Sequence, residues 1–114
     1  MAEHVVHRVS ARAKALIALA RKLEGQPGLA EADRLGLQVC AELLHEACER
    51  LATAEKAKLT ATQLDYLKTP AQELIDKGDA LSHTATPGQI AHWWRALEEA
   101  AREFVRAVHD LPHR

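Results

Sequence analysis

Seven histidines stand among 114 residues, and histidine is the side chain best suited to move a proton near neutral pH or to ligate a transition metal. The densest cluster is Glu42-Leu-Leu-His45-Glu46-Ala-Cys48-Glu49. On a helix, Glu42 and His45 at a spacing of three, and His45 and Glu49 at a spacing of four, fall on one face, as a chelate requires. His4 and His7 lie one turn apart and could hold an ion weakly, while His109 and His113 straddle Pro112. Asp79, Ser82 and His83 supply the residue types of a nucleophile, its base and an orienting carboxylate, but a triad is a matter of geometry and not of closeness in sequence.

The elements that must carry these groups are helical. Aromatic residues make up 4% of the chain, strand-type runs of Val, Ile and Thr are missing, and alanine, the best helix former, is abundant. The first helix is expected from about Glu3 to Glu24, with Val6, Val9, Ala13, Leu16, Ala20 and Leu23 alternating at three and four residues. Gly25-Gln26-Pro27-Gly28 ends it. The second runs from about Leu29 to Leu59, with Leu37, Cys40, Leu44, Ala47 and Leu51 on its buried stripe and Gly36 as a weak point. The third is expected to start at Thr62 with Asp65 completing its cap, and to stop at Gly78. Pro70 makes it short or kinked, because proline lacks the donor for the preceding turn. Thr86-Pro87-Gly88-Gln89 opens the fourth, whose stripe is Ile90, Trp94, Leu97, Ala101, Phe104, Val108 and Leu111. Short connections imply antiparallel neighbours, so the expected fold is an all-α, up-down-up-down four-helix bundle, with residues 1–114 as one domain. The first two helices bring small core residues, and most of the large ones are expected from the fourth.

Helical phase then decides which chemistry has a place to happen. The Leu37, Leu44, Leu51 stripe faces inward, so Glu42, His45 and Glu49 fall on the solvent side. Glu42-x-x-His45 resembles half of the ligand set of carboxylate-bridged di-iron bundles, and His45-x-x-x-Glu49 resembles a fragment of the hemerythrin pattern. No second Glu-x-x-His occurs, and a di-iron site needs its ligands pointing inward, so no metal residue is expected. A four-helix histidine phosphotransfer domain matches in size. There, however, the phosphorylated histidine is followed by lysine and a small residue, whereas Glu46 and Glu49 surround His45 with negative charge. In the fourth helix, Arg102 with His109, and Arg106 with His113, resemble the Arg-x(4–6)-His element of HEPN ribonucleases and their toxin–antitoxin relatives. That resemblance implies RNA cleavage by Arg102 and His109. Cys40 belongs to the buried stripe and Cys48 to its margin, and neither has a neighbouring cation on its helix to lower its pKa.

Composition narrows the function classes. A formal net charge of -1 and a pI near 6.6 argue against a general nucleic-acid binder, which carries a basic surplus to neutralise phosphates. Positive charge is concentrated at the start, where Arg8, Arg12, Lys14, Arg21 and Lys22 face only Glu3 and Glu24. Cys40 and Cys48 lie eight residues apart on one helix, about 12 Å at 1.5 Å per residue, too far to bridge. Free thiols fit a reducing compartment. No window reaches the roughly 18 apolar residues of a membrane span, and the first 25 residues lack the apolar core of a secretory signal. A cytoplasmic location is the expectation.

Trp93-Trp94 is the most informative pair. Trp94 lies on the apolar stripe of the fourth helix, and Trp93 is rotated about 100° from it, toward a flank. Trp93, Ala100 and Val105 widen the apolar arc on both sides beyond the three positions in seven that a closed bundle needs. The expected function is therefore a non-enzymatic interaction protein that forms a homodimer or larger homo-oligomer or binds a protein partner, with Trp93, Ala100 and Val105 as the interaction residues. No catalytic residue and no cofactor is expected, nor a membrane or nucleic-acid partner. The alternatives are the HEPN-like ribonuclease, a metal-binding bundle using Glu42, His45 and Glu49, and a small-ligand pocket between alanine-rich helices.

Overall fold

The computed structural model describes residues 4–84 and 86–112. Four helices follow one another: α1, Val5–Glu24; α2, Glu31–Lys56; α3, Ala61–Ser82; and α4, Pro87–His109. They account for 84% of the described residues, and no described residue lies in a strand. No helix among them is long and apolar enough to cross a membrane.

The helices pack as a bundle in which α1 lies against α2 and α3, and α4 lies against the same two. The α1–α4 and α2–α3 pairs are thus the diagonals. The short connection from α2 to α3 crosses the end of the bundle, and Lys58 within it takes a φ of 60°, a left-handed backbone seldom adopted outside glycine. Two long-range contacts tie this end together. The His7 ring meets the Glu55 carboxylate at 3.0 Å, and the Gln63 side chain donates to the Pro112 carbonyl at 3.0 Å.

Three helices build the core with the same device. Leu37, Leu44 and Leu51 of α2, Leu67, Leu74 and Leu81 of α3, and Ile90, Leu97 and Phe104 of α4 are all fully buried. Seven residues are nearly two turns, so each set forms one inward ridge. Large side chains therefore come from α2 and α3 as well as from α4, although α4 brings the most of the three, with Trp94 and Val108 buried besides its ridge. Small core residues come from the first two helices, as expected: α1 buries Ala13 and Ala20 beside Val6, Val9 and Leu16, and α2 buries Gly36, Cys40, Ala41 and Ala47 between its leucines.

The helix ends follow local chemistry, with two departures from expectation. Thr86 and Gln89 bond reciprocally to each other's backbone, and Pro87 opens α4, as the sequence indicated. The cap of α3 is Thr60 with Gln63 instead of Thr62 with Asp65, because the Gln63 side-chain oxygen accepts from the Thr60 N–H while the Thr60 hydroxyl oxygen accepts from the Gln63 N–H. At the other end, Gly78 does not stop α3. It is buried inside the helix, and a Cβ there would run into the Leu16 side chain, so its small size serves packing instead of termination. The chain stays helical to Ser82. α3 is assigned without a break through Pro70 and is 22 residues long, which replaces the expected short helix. Just beyond Pro70, the Gln72 side chain bonds Asp76 one turn on, at 2.9 Å.

Candidate functional site

The polar groups singled out in the sequence are placed by α1, α2, α3 and α4 on outer faces, most of them with a local partner. His45 and Glu49 form an ion pair one turn apart, with 69% and 68% of their side chains exposed. Glu42, His45, Glu49 and His109 line one open depression of about 500 Å³ between α2 and α4. Their donor atoms do not converge: among the described residues, no group of three or more His, Cys, Asp or Glu could hold a metal ion. His4 caps α1 by accepting from the Val6 N–H at 3.2 Å. His7 is taken by Glu55, and the two rings stand 6.4 Å apart, edge to face. His113 lies outside the described residues, and with it the His109–His113 and Arg106–His113 pairs.

No triad forms around His83. Its Nδ1 lies 2.6 Å from the Asp79 carbonyl oxygen, closer than the 3.3 Å that separates it from Ser82 Oγ. Ser82 Oγ donates to that carbonyl, at 2.7 Å. The Asp79 carboxylate meanwhile pairs with Arg12 of α1. The three groups are spent on closing the last turn of α3 and fastening it to α1.

Arg102 and His109 do share a surface. Together with Arg106 and Val105 they line a depression of about 300 Å³ beside Leu43 of α2. The Arg102 guanidinium is held by Glu98 at 2.8 and 3.2 Å, and Arg106 by Glu103 at 2.9 Å. Both arginines therefore have an internal counter-charge where a phosphate would have to compete.

Neither thiol is poised for reaction. Burial, reinforced by Glu98 and opposed by Arg102, pushes the Cys40 thiol from its ordinary 9.0 up to about 12. It stays protonated at neutral pH and donates to the Trp94 carbonyl at 3.2 Å. Cys48 is half-buried between α1 and α2 and faces the Ser10 carbonyl at 3.7 Å. Burial raises its pKa against the pull of Lys14.

The two flanks of α4 divide the expected interaction residues. Val105 lies on the α2 side, next to Leu43. Trp93 and Ala100 lie on the α3 side, where Ala100 is buried and the Nζ of Lys77 sits 5.9 Å from the Trp93 ring centroid. On that side a groove of about 550 Å³ runs between α3 and α4. Ala96, Ala100 and Ala107 form its α4 wall, and Tyr66, Thr69 and Pro70 form much of its α3 wall. Its rim carries Glu73 from α3 and Glu99 and Glu103 from α4, with Lys77 as the one cation lining it among the described residues. Tyr66 is 45% exposed, one of two large apolar side chains so open.

Reasoning from the sequence found Ala100 but missed the groove around it. The signal was there in the alanines at 96, 100 and 107, which fall on one flank of a helix at spacings of four and seven. What could not be read was that α3 presents Pro70 and Thr69 opposite them, with Tyr66, Glu73 and Lys77 standing around the space and leaving it open. Asp33 was missed as well: its carboxylate accepts from the indole N–H of Trp94 at 2.8 Å, across 61 positions of sequence. Against known proteins, the chain matches no family model, no curated protein and no solved structure, so any function has to be argued from its own residues.

Proposed function

We propose that this chain is a non-enzymatic helical-bundle interaction protein that works by self-association or by holding a partner protein, with the α3-facing flank of α4 as its contact surface. The observation that carries this reading is the open groove of about 550 Å³ between α3 and α4, near a tryptophan, Trp93, that packs against the edge of the core and is only partly buried there. Tryptophan beside a water-excluding apolar surface is the commonest anchor of a protein interface. The polar clusters support the same reading from the other side, since His7, His45, His83, Arg102 and Arg106 are each engaged by a neighbouring residue of their own chain.

The reading includes an up-down-up-down run of the helices, supported by the His7–Glu55 and Gln63–Pro112 contacts. It includes a bend of α3 at Pro70, which has no N–H for the Tyr66 carbonyl, and a cytoplasmic setting, which the two free thiols favour. The deciding experiment is the solution mass of the natively purified protein beside that of its Trp93→Ala variant. Loss of a homodimer or partner complex, with affinity falling about thirtyfold and helicity retained, is the expected result. A wild-type chain that stays monomeric at high micromolar concentration, brings no partner with it and melts earlier as Trp93→Ala would overturn the reading.

A further inference from the structure

We infer that the groove between α3 and α4 receives a cationic amphipathic helix from a different protein, an assignment that rests on the interaction reading above and names the partner's chemistry. Length sets the first condition. From Ala96 to Ala107 the groove follows about three turns of α4, roughly 16 Å, which suits a short helix lying along it. The alanine wall sets the second, because small residues let a third helix approach closely and insert its apolar side chains between α3 and α4.

Charge sets the third and excludes the simplest competitor. The rim holds Glu73 on one wall and Glu99 and Glu103 on the other, against Lys77. Glu103 already holds Arg106, but Glu73 and Glu99 make no hydrogen bond or ion pair with any described residue. Lysines or arginines on both shoulders of an incoming helix would meet these two carboxylates. A second copy docked groove to groove would instead bring like rims together, which electrostatic complementarity strongly disfavours. The aromatic side chains stand at the two ends, Tyr66 lining one and Trp93 behind Lys77 at the other. They would bracket a three-turn apolar face.

The test uses the full chain, isotopically labelled, and two synthetic helical peptides of four turns. One is built from leucine and lysine, and the other has glutamate at every lysine position. The leucine–lysine peptide should shift the amide signals of residues 66–77 and 93–107, and the leucine–glutamate peptide should not. A Glu73→Lys, Glu99→Lys double variant should weaken the first peptide about tenfold or more, and Ala96→Leu should block it by filling the groove with no change of charge. Three outcomes would each overturn the assignment: equal binding of both peptides, shifts spread over other acidic faces, or indifference to the double variant. A homodimer in solution that Ala96→Leu dissociates would name a second copy as the occupant and also end it, while leaving the broader interaction reading intact. Loss of that broader reading shows separately, in the mass of the natively purified chain.

Discussion

On its α2 side α4 meets small residues and fills them, whereas on its α3 side it offers small residues and leaves them open. Gly36 of α2 shows the first arrangement. The Trp94 ring lies so close that a Cβ on Gly36 would stand 2.5 Å from three of its carbons, and the same indole is fixed by Asp33 while the Trp94 carbonyl accepts from Cys40. Ala96, Ala100 and Ala107 show the second: Tyr66, Glu73 and Lys77 of α3 line the same space without filling it, and a groove is the result. A small residue on a helix therefore has two opposite meanings. Where a large side chain comes across to meet it, it is a socket and contributes stability. Where none comes, it is vacant surface that a partner can use.

The comparison can be broken or sharpened by substitution. The largest effect should come from Trp94→Ala, which empties the socket. A loss of about 3–5 kcal/mol, read by chemical denaturation, is expected for a buried tryptophan, whereas Trp93→Ala on the open side should leave stability within about 1 kcal/mol of wild type. Equal losses would show that both flanks seal the monomer.

Next comes Gly36→Ala, which should destabilise by about 1–3 kcal/mol through overpacking despite the gain of roughly 1 kcal/mol in helix propensity. The rigid indole has nowhere to go. Gly78→Ala is the control, because its clash is with the end of a Leu16 side chain that can change rotamer. It should cost clearly less, and a loss as large as that of Gly36→Ala would show that α1 and α3 are held as rigidly as α2 and α4.

Asp33→Ala removes the acceptor of the indole N–H and should cost about 1–3 kcal/mol, at the lower end because Asp33 is only half-buried. A Trp94 fluorescence maximum unchanged by this substitution would show that the hydrogen bond does not position the ring. The smallest effect is expected at Arg102→Ala, where an exposed pair with Glu98 is lost, a change of less than about 1 kcal/mol. Purified wild-type protein should leave single-stranded RNA intact. Cleavage that disappears in Arg102→Ala or His109→Ala would move the functional surface from the α3 side of α4 to the α2 side.

Much of the bundle was legible because helix formation is local. The Thr86 cap with Pro87 and Gln89, the inward ridges at Leu37, Leu44 and Leu51, and the outward phase of His45 and Glu49 all depend on residues within two turns of each other. The misreadings share one cause. Gly78 and Gly36 looked like a stop and a weak point, since a glycine in a helix is unfavourable when only its own helix is considered. Leu16 and Trp94, which make these glycines necessary, come from 62 and 58 positions away along the chain. The Thr62 cap lost to Thr60, because Gln63, three residues after Thr60, reaches back to the Thr60 N–H and closes a reciprocal cap.

By itself the sequence determined that four amphipathic helices form and which face of each turns inward, because the three-four spacing of apolar residues expresses a geometry that every α-helix shares. Only the tertiary structure decided which helices become neighbours and therefore what each flank residue meets. It placed α4 between α2 and α3, seated Trp94 in the hollow at Gly36 on one flank, and left a groove along the alanines of the other. The physical reason is that packing complementarity belongs to a pair of surfaces: three alanines on one helix specify neither a socket nor a groove until the side chains across from them are in place.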